Sequence, residues 1–162
     1  HRNIGYVGNC RNEDRYNGYL DTLKRNNLDV IPEYVVETNQ TEKEGYEAME
    51  QLLKSDDCPT GIYCANDITA VGMLKYLGRC RNLYCTPSII ASDDIEEAQY
   101  TKPMLTTVGL PKEEMGKFAL YLLLDRMKGG HSGVVRMELS GHLMIRNSCS
   151  HVSESTWSDY CI

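Results

Sequence analysis

The chain has 162 residues, with 17 Lys and Arg against 23 Asp and Glu, a formal net charge of −6. That is the length of one domain, and 41% hydrophobic residues suffice for a core. The acidic balance argues against direct contact with nucleic acid, which needs a basic footprint. The densest apolar run, Phe118 to Leu124, is far short of the ~20 residues that span a membrane.

The predicted elements alternate. Ile4 to Gly8 reads as a strand. Tyr16, Tyr19, Leu20 and Leu23 follow at helical spacing, with Asp14 as the expected cap and Asn26-Asn27 as the stop. Tyr34-Val35-Val36 is a second strand. Thr41-x-x-Glu44 forms a capping box ahead of a helix bearing Tyr46, Met49, Leu52 and Leu53. After a turn at 56–59, Thr60 to Cys64 is a third strand, and Asp67 is the expected cap of a helix with Ile68, Val71 and Leu74. Pro87 introduces a fourth strand, Ser88 to Ala91. Strands alternating with helices make right-handed βαβ units, hence a parallel sheet flanked by helices on both faces, a Rossmann-like α/β fold.

Beyond residue 94 the spacing predicts a short helix over 95–100, a strand over 105–108 and a long helix from Pro111 to about Lys128. Two more strands are expected, Val134 to Glu138 and Leu143 to Ile145. The helix over 111–128 is apolar around most of its circumference from Phe118 to Leu124, so it needs cover on several sides. It is either the central helix of a compact core or an element whose partners lie in other chain. The tail over 153–162 is expected to be loosely held.

Seven cysteines, at 10, 58, 64, 80, 85, 149 and 161, include no Cys-x-x-Cys pair, so a zinc site is not expected. Free thiols are the expectation for a chain of this length and composition. Asn39-Gln40-Thr41 fits a glycosylation sequon, but nothing else points to secretion. No secretory leader opens the sequence, and without an initiating Met it reads as a piece of a longer protein.

Catalytic patterns are missing: no Gly-x-Ser-x-Gly, no phosphate-binding Gly-rich loop, no His-Glu-x-x-His. Asp93-Asp94 with Glu96-Glu97 makes a poor acid–base pair, because neighbours on a strand point to opposite faces. His142 and Cys149 have nothing to orient them as a dyad. No enzyme activity, cofactor or metal is expected.

A family resemblance runs through most of the chain. Arg15-Tyr16-Asn17-Gly18-Tyr19 resembles the Arg-x-x-Gly-aromatic motif of the LacI/GalR transcriptional regulators. The similarity continues at Gly45-Tyr46-Glu47-Ala48-Met49, at Pro59 to Asp67 with Ala70-Val71-Gly72, and at Pro87 to Asp94. It ends with Pro103 to Val108 and Leu143 to Ser148. Six motifs in register over residues 3–150 are specific where each alone is weak.

The resemblance implies the effector-binding domain, similar to periplasmic sugar-binding proteins, with two Rossmann-like subdomains around a cleft. Residues 1–108 would then belong to the C-terminal subdomain. Residues 109–140 would cross into the N-terminal one, and 141–152 would return. The expected function is sensing of a small molecule, a sugar, by a cytoplasmic homodimeric regulator that touches operator DNA only through a helix-turn-helix head outside this sequence. The alternative is a solute-binding protein of a transport system.

By resemblance, Arg15, Asn66 and Asp93 are effector contacts. A donor fork, an amide and a carboxylate suit a polyol. Arg15 equally suits a surface helix position, and Asn66, Asp67 and Asp93 equally suit helix caps. Gln40 stands where the family often has an aromatic that stacks on the ligand, which an amide cannot do. Asn9, Asn12 and Asp14 lie in the first loop, within possible reach. The stretch Arg79 to Cys85 and the Ala91-Ser92-Asp93 segment depart from the family pattern, altering the wall beside Asp93.

Overall fold

The structure is a computed structural model describing residues 1–54, 57–80 and 83–152. The tail over 153–162 and part of the turn at 56–59 lie outside the described residues.

Six strands form one sheet in the order β2-β1-β3-β4-β5-β6. They are β1 (Ile4–Gly8), β2 (Val35–Glu37), β3 (Gly61–Cys64), β4 (Ser88–Asp93), β5 (Thr106–Gly109) and β6 (His142–Met144). The first five are parallel, with Tyr6 opposite Val35 and Tyr63, and Ile90 opposite Thr106. The expected parallel sheet needs one amendment: β6 runs antiparallel to β5, pairing Leu143 with Val108. The strand order reverses between β1 and β3, and in sheets of this kind ligands bind at the carboxyl ends beside such a reversal.

Helices α1 (Asp14–Arg25), α2 (Glu42–Leu52) and α3 (Asp67–Arg79) follow β1, β2 and β3. Side chains alternate across the strands and divide the core. Val7, Ile62, Cys64, Ile89 and Ala91 pack with Met49, Leu52, Met73 and Leu74 of α2 and α3. Tyr6 and Ala65 pack on the other face with Tyr19 and Leu23 of α1. Thus α1 covers one face, and α2 with α3 the other.

Glycine brings α2 and α3 together at backbone distance. A Cβ on Gly45 would strike the carbonyl oxygen of Thr69, and one on Gly72 that of Glu42. On the α1 face, the rings of Tyr6, Tyr16, Tyr19 and Tyr63 form a cluster with centroid separations of 5.0–6.1 Å. Tyrosine suits this place better than phenylalanine because the hydroxyls find partners. Tyr6 donates to the Asn9 carbonyl and Tyr19 to that of Ile4, at 3.0 and 2.9 Å.

Two caps differ from expectation by one residue. Glu13, not Asp14, caps α1, accepting from the Arg15 N–H. Asn66, not Asp67, caps α3, accepting from the Thr69 N–H at 3.1 Å. In both cases the residue with extended backbone is the one before the acid, and only that conformation turns a side chain onto the first turn. Thr41 caps α2 as expected, accepting from the Glu44 N–H at 3.2 Å.

The cysteines also differ. Cys58 and Cys85 form a disulfide joining the segments that enter β3 and β4. Cys10, Cys64, Cys80 and Cys149 are free thiols.

Past β5 the chain leaves the sheet. Helix α4 (Lys112–Met127) forms as expected, but no residue of it is buried, and Tyr121 is 65% exposed. It is therefore not a core helix of this unit. The expected strand over Val134 to Glu138 does not form, and Val134 is 95% exposed. A β-branched run has nothing to pair with there, and a strand without a neighbour is not stable. The chain returns at β6, and Ser148 locks the return. Its hydroxyl accepts from the Thr106 N–H and donates to the Ile89 carbonyl, at 2.7 and 2.6 Å.

Candidate functional site at the strand carboxyl ends

Arg15, on the first turn of α1, follows β1. Asn66 follows β3, and Asp93 ends β4. Arg15 and Asn66 thus flank the reversal of strand order, with Asp93 beside them. Arg15 Nη2 stands 3.5 Å from Asp93 Oδ1 and Arg15 Nε 4.0 Å from Glu13 Oε1. Arg15 is not a free surface side chain, because it bridges from the β1 loop to the end of β4.

Burial raises the Asp93 pKa above the ordinary carboxylate value. Arg15 opposes that shift, Asp67 adds to it, and Lys112 opposes it weakly. Asp93 and Asp94 both have positive φ, +130° and +48°. Such backbone is costly for non-glycine residues and persists only where the surroundings hold it.

The holding groups are visible. Asp67 is wholly buried. It accepts from Thr107 Oγ1 at 2.5 Å and from the Ile95 N–H at 3.0 Å, fixing the peptide just past Asp94. The Asp94 N–H reaches Thr107 Oγ1 at 3.4 Å. Arg146 donates to Asp94 Oδ1 at 2.6 Å and to the Leu105 carbonyl at 2.8 Å. Lys112 Nζ donates to the Asp94 carbonyl at 3.0 Å.

Asn66 serves two elements. Its Oδ1 caps α3, and its Nδ2 donates to the Gln40 carbonyl at 3.3 Å, bringing the β2 loop against the end of β3. Gln40 is held there with φ +61°. Nearby, Asn9, Arg11, Glu37, Thr38 and Asn39 line a polar cleft of about 410 Å³ at the ends of β1 and β2. Arg11 pairs with Glu37 across it at 3.1 Å. Asn9 therefore lines a cleft. Asn12 sits beyond it with φ +51°, and Asp14 lies in the first turn of α1.

Sequence reasoning missed Glu13, Asp67, Lys112, Thr107 and Arg146 as supports of this rim. Arg146 lay inside a family-like segment, but no spacing rule ties it to Asp94. The imagined dyad does not assemble: the Cys149 thiol turns to the Ile89 carbonyl at 3.3 Å. Among the described residues no cluster of His, Cys, Asp and Glu is arranged to hold a metal, and no helix is long and apolar enough to cross a membrane.

The periplasmic binding protein-like domain family matches residues 1–149. The chain belongs to this family, and the relatives it matches are LacI-type repressors and regulators. The repressor CytR of Escherichia coli K12 is 37% identical over 136 residues, 83% of this chain and 40% of the relative. A LacI-type regulator from Bacillus cereus subsp. cytotoxis superposes with a TM-score of 0.84 over 93% of this chain and 55% of its own; at 23% identity it shows the fold alone. A LacI family regulator from Enterococcus faecium, solved with bound ribose, gives 0.77 at 26% identity, over 91% of this chain and 56% of its own.

The chain thus spans 40–56% of the length of these relatives. They are regulators rather than enzymes, and they do not favour the transport-protein alternative.

Proposed function

We propose that this LacI-type domain senses a small hydroxylated effector, of sugar type, for a transcriptional regulator. The observation that carries the reading is the Arg15–Asp93 pair, set at the strand ends beside the reversal of strand order. A guanidinium offers donors and a carboxylate offers acceptors 3.5 Å away, so adjacent hydroxyls can bridge them. Asn66 and Gln40 form the second wall, and the polar cleft at β1 and β2 extends the site. The ribose held by the Enterococcus faecium regulator agrees with this chemistry.

In this reading residues 1–108 and 141–152 make one subdomain, and 109–140 cross into a second. That crossing accounts for α4, which is apolar and finds no cover here. Effector binding then shifts the balance between two arrangements of the subdomains. Operator DNA is contacted by a separate head in the cytoplasm, which fits the acidic charge of this part.

The regulator acts as a homodimer. A groove between α3 and the segment after β4 combines Ile68, Val71 and Tyr100 with Lys75, Lys102 and Glu97. Apolar surface with both charges at its edge is self-complementary under a two-fold axis.

The test is isothermal titration calorimetry of the full-length protein against pentoses, hexoses and nucleosides. A saturable heat with at least one of them, abolished by Asp93→Ala, is expected. Absence of binding across the panel overturns the sensor reading.

A further inference from the structure

Six cysteines lie among the described residues; Cys10, Cys64, Cys80 and Cys149 are free thiols, while Cys58 and Cys85 are joined. Burial pushes the thiols of Cys10, Cys64 and Cys149 up, which keeps them protonated and slow to oxidise. A domain that depends on disulfides pairs its cysteines. Where most thiols stay free, a single bond is of the transient, redox-sensing kind found in reducing compartments.

The bond lies at the amino ends of β3 and β4, away from the candidate effector site. Pro59 and Pro87 are fully buried and fix the starts of those strands. Residues 83–86 form a strap leading into β4. Leu83, like Leu53 at the end of α2 and Tyr76 in the last turn of α3, packs against the core cluster of that face. Tyr84 donates from its hydroxyl to the Leu53 carbonyl at 2.9 Å. The strap therefore covers the ends of α2 and α3, and the disulfide pins it. Cys58 is buried and Cys85 only half-buried, so Cys85 is the sulfur open to attack.

Resting on the regulator reading for its dimer, we propose that Cys58 and Cys85 form a reversible redox site. Its reduction by a small thiol of glutathione type frees the strap and loosens the dimer groove along α3. A glutathione thiolate attacks Cys85 Sγ, forming a mixed disulfide and expelling the Cys58 thiolate, which takes up a proton. A second glutathione thiolate then attacks the glutathione sulfur of that mixed disulfide. Glutathione disulfide leaves, and the Cys85 thiolate takes up a proton. Two electrons and two protons have passed from two glutathiones to the protein, and closure is the reverse. The groove is coupled to the strap through α3, because Leu74, Lys75 and Gly78 line it. In the same stretch of helix, Tyr76 packs edge-on against Tyr46 and Arg79 stands 5.6 Å over the Tyr46 ring. Loss of the strap leaves this end of α3 free to fray.

The experiment equilibrates the full-length protein in buffers running from excess glutathione disulfide to excess glutathione. Alkylation with mass spectrometry identifies free thiols, hydrogen exchange reads Leu74 to Arg79 and Leu83 to Thr86, and sedimentation reads the dimer. Cys58 and Cys85 are expected to become alkylated together within the series. Exchange in both segments should quicken by about tenfold or more, and the dimer dissociation constant should rise by about tenfold. The Cys58→Ser, Cys85→Ser variant should match the reduced protein in every buffer. Should that variant fail to fold, recovery of the parent on adding glutathione disulfide carries the same test. A bond that persists in excess glutathione, or stays open in excess glutathione disulfide, overturns the redox site. Equal exchange in the two states overturns release of the strap. Equal dimer affinity overturns the coupling, whereas a monomer in both states refutes the dimer reading and leaves the redox site standing.

Discussion

Arg146 and Asp94 are 52 residues apart in sequence, yet their charged atoms stand 2.6 Å apart. The Arg146 side chain is only 11% exposed, so this pair is largely withdrawn from water. It fastens the segment after the returning strand onto the loop that follows the candidate effector carboxylate. Arg146→Met strips Asp94 of its partner in a half-dry place. We expect a loss of about 2 kcal/mol, read as a lower urea midpoint. Pairing it with Asp94→Asn in a double-mutant cycle should recover part of that loss, because the two losses are not independent.

Asp93→Asn should separate binding from folding. The carboxylate is raised in pKa by burial, so holding its charge carries a cost in the folded state. Removing the charge should leave the melting temperature near neutral pH unchanged or slightly higher. Effector affinity should fall by about 10- to 100-fold, the worth of a hydrogen bond to a charged acceptor. Calorimetry and thermal unfolding on the same preparation check both halves.

The same shift fixes a pH dependence. A carboxyl whose folded pKa is raised takes up its proton at a higher pH than an unperturbed one. As pH falls, Asp93 should lose its acceptor character before ordinary aspartates titrate, and effector affinity should fall with it. In stability the sign is reversed: this one group favours the fold more as it protonates and less as pH rises through its folded pKa. A titration of effector affinity against pH, beside the same curve for Asp93→Asn, isolates the step.

The disulfide between Cys58 and Cys85 closes a loop of 27 residues. Chain-entropy arguments put its contribution at about 3.5 kcal/mol. The Cys58→Ser, Cys85→Ser double variant should melt roughly 10 °C lower. Reductant should shift the parent protein by the same amount and leave the variant where it is.

Gly45→Ala tests the helix–helix contact. The added methyl meets the Thr69 carbonyl, which is backbone and cannot swing away. Overpacking of this kind costs about 1–3 kcal/mol. At Gly18, where nothing lies within 4 Å, the same change should be tolerated.

What could be read from sequence follows from the range of the forces involved. Strands β1, β3 and β4 were legible because each is a short apolar run bounded by turn residues, and local pattern decides such strands. The long helix was legible from Pro111 and Gly129-Gly130 at its ends. Family resemblance singled out Arg15, Asn66 and Asp93, and βαβ topology then puts the strand ends they follow on one side of the sheet. The pairings follow from neither. Cys58 meets Cys85, and Arg146 meets Asp94, only because strand order makes neighbours of distant segments. Val134 to Glu138 misled because β-branched composition records a preference, while a strand needs an edge to join.

Eleven tyrosines beside a single phenylalanine give this chain a built-in optical reporter. The ring cluster on the α1 face includes Tyr16, next to Arg15, and Tyr63, whose hydroxyl lies 3.3 Å from Ser92 Oγ, next to Asp93. Coupled rings give circular dichroism in the near ultraviolet that depends on their mutual tilt. Any shift of the first helix against the end of β4 would rotate one ring past another. Occupancy of the site can therefore be followed without a label, from the absorbance of the core itself.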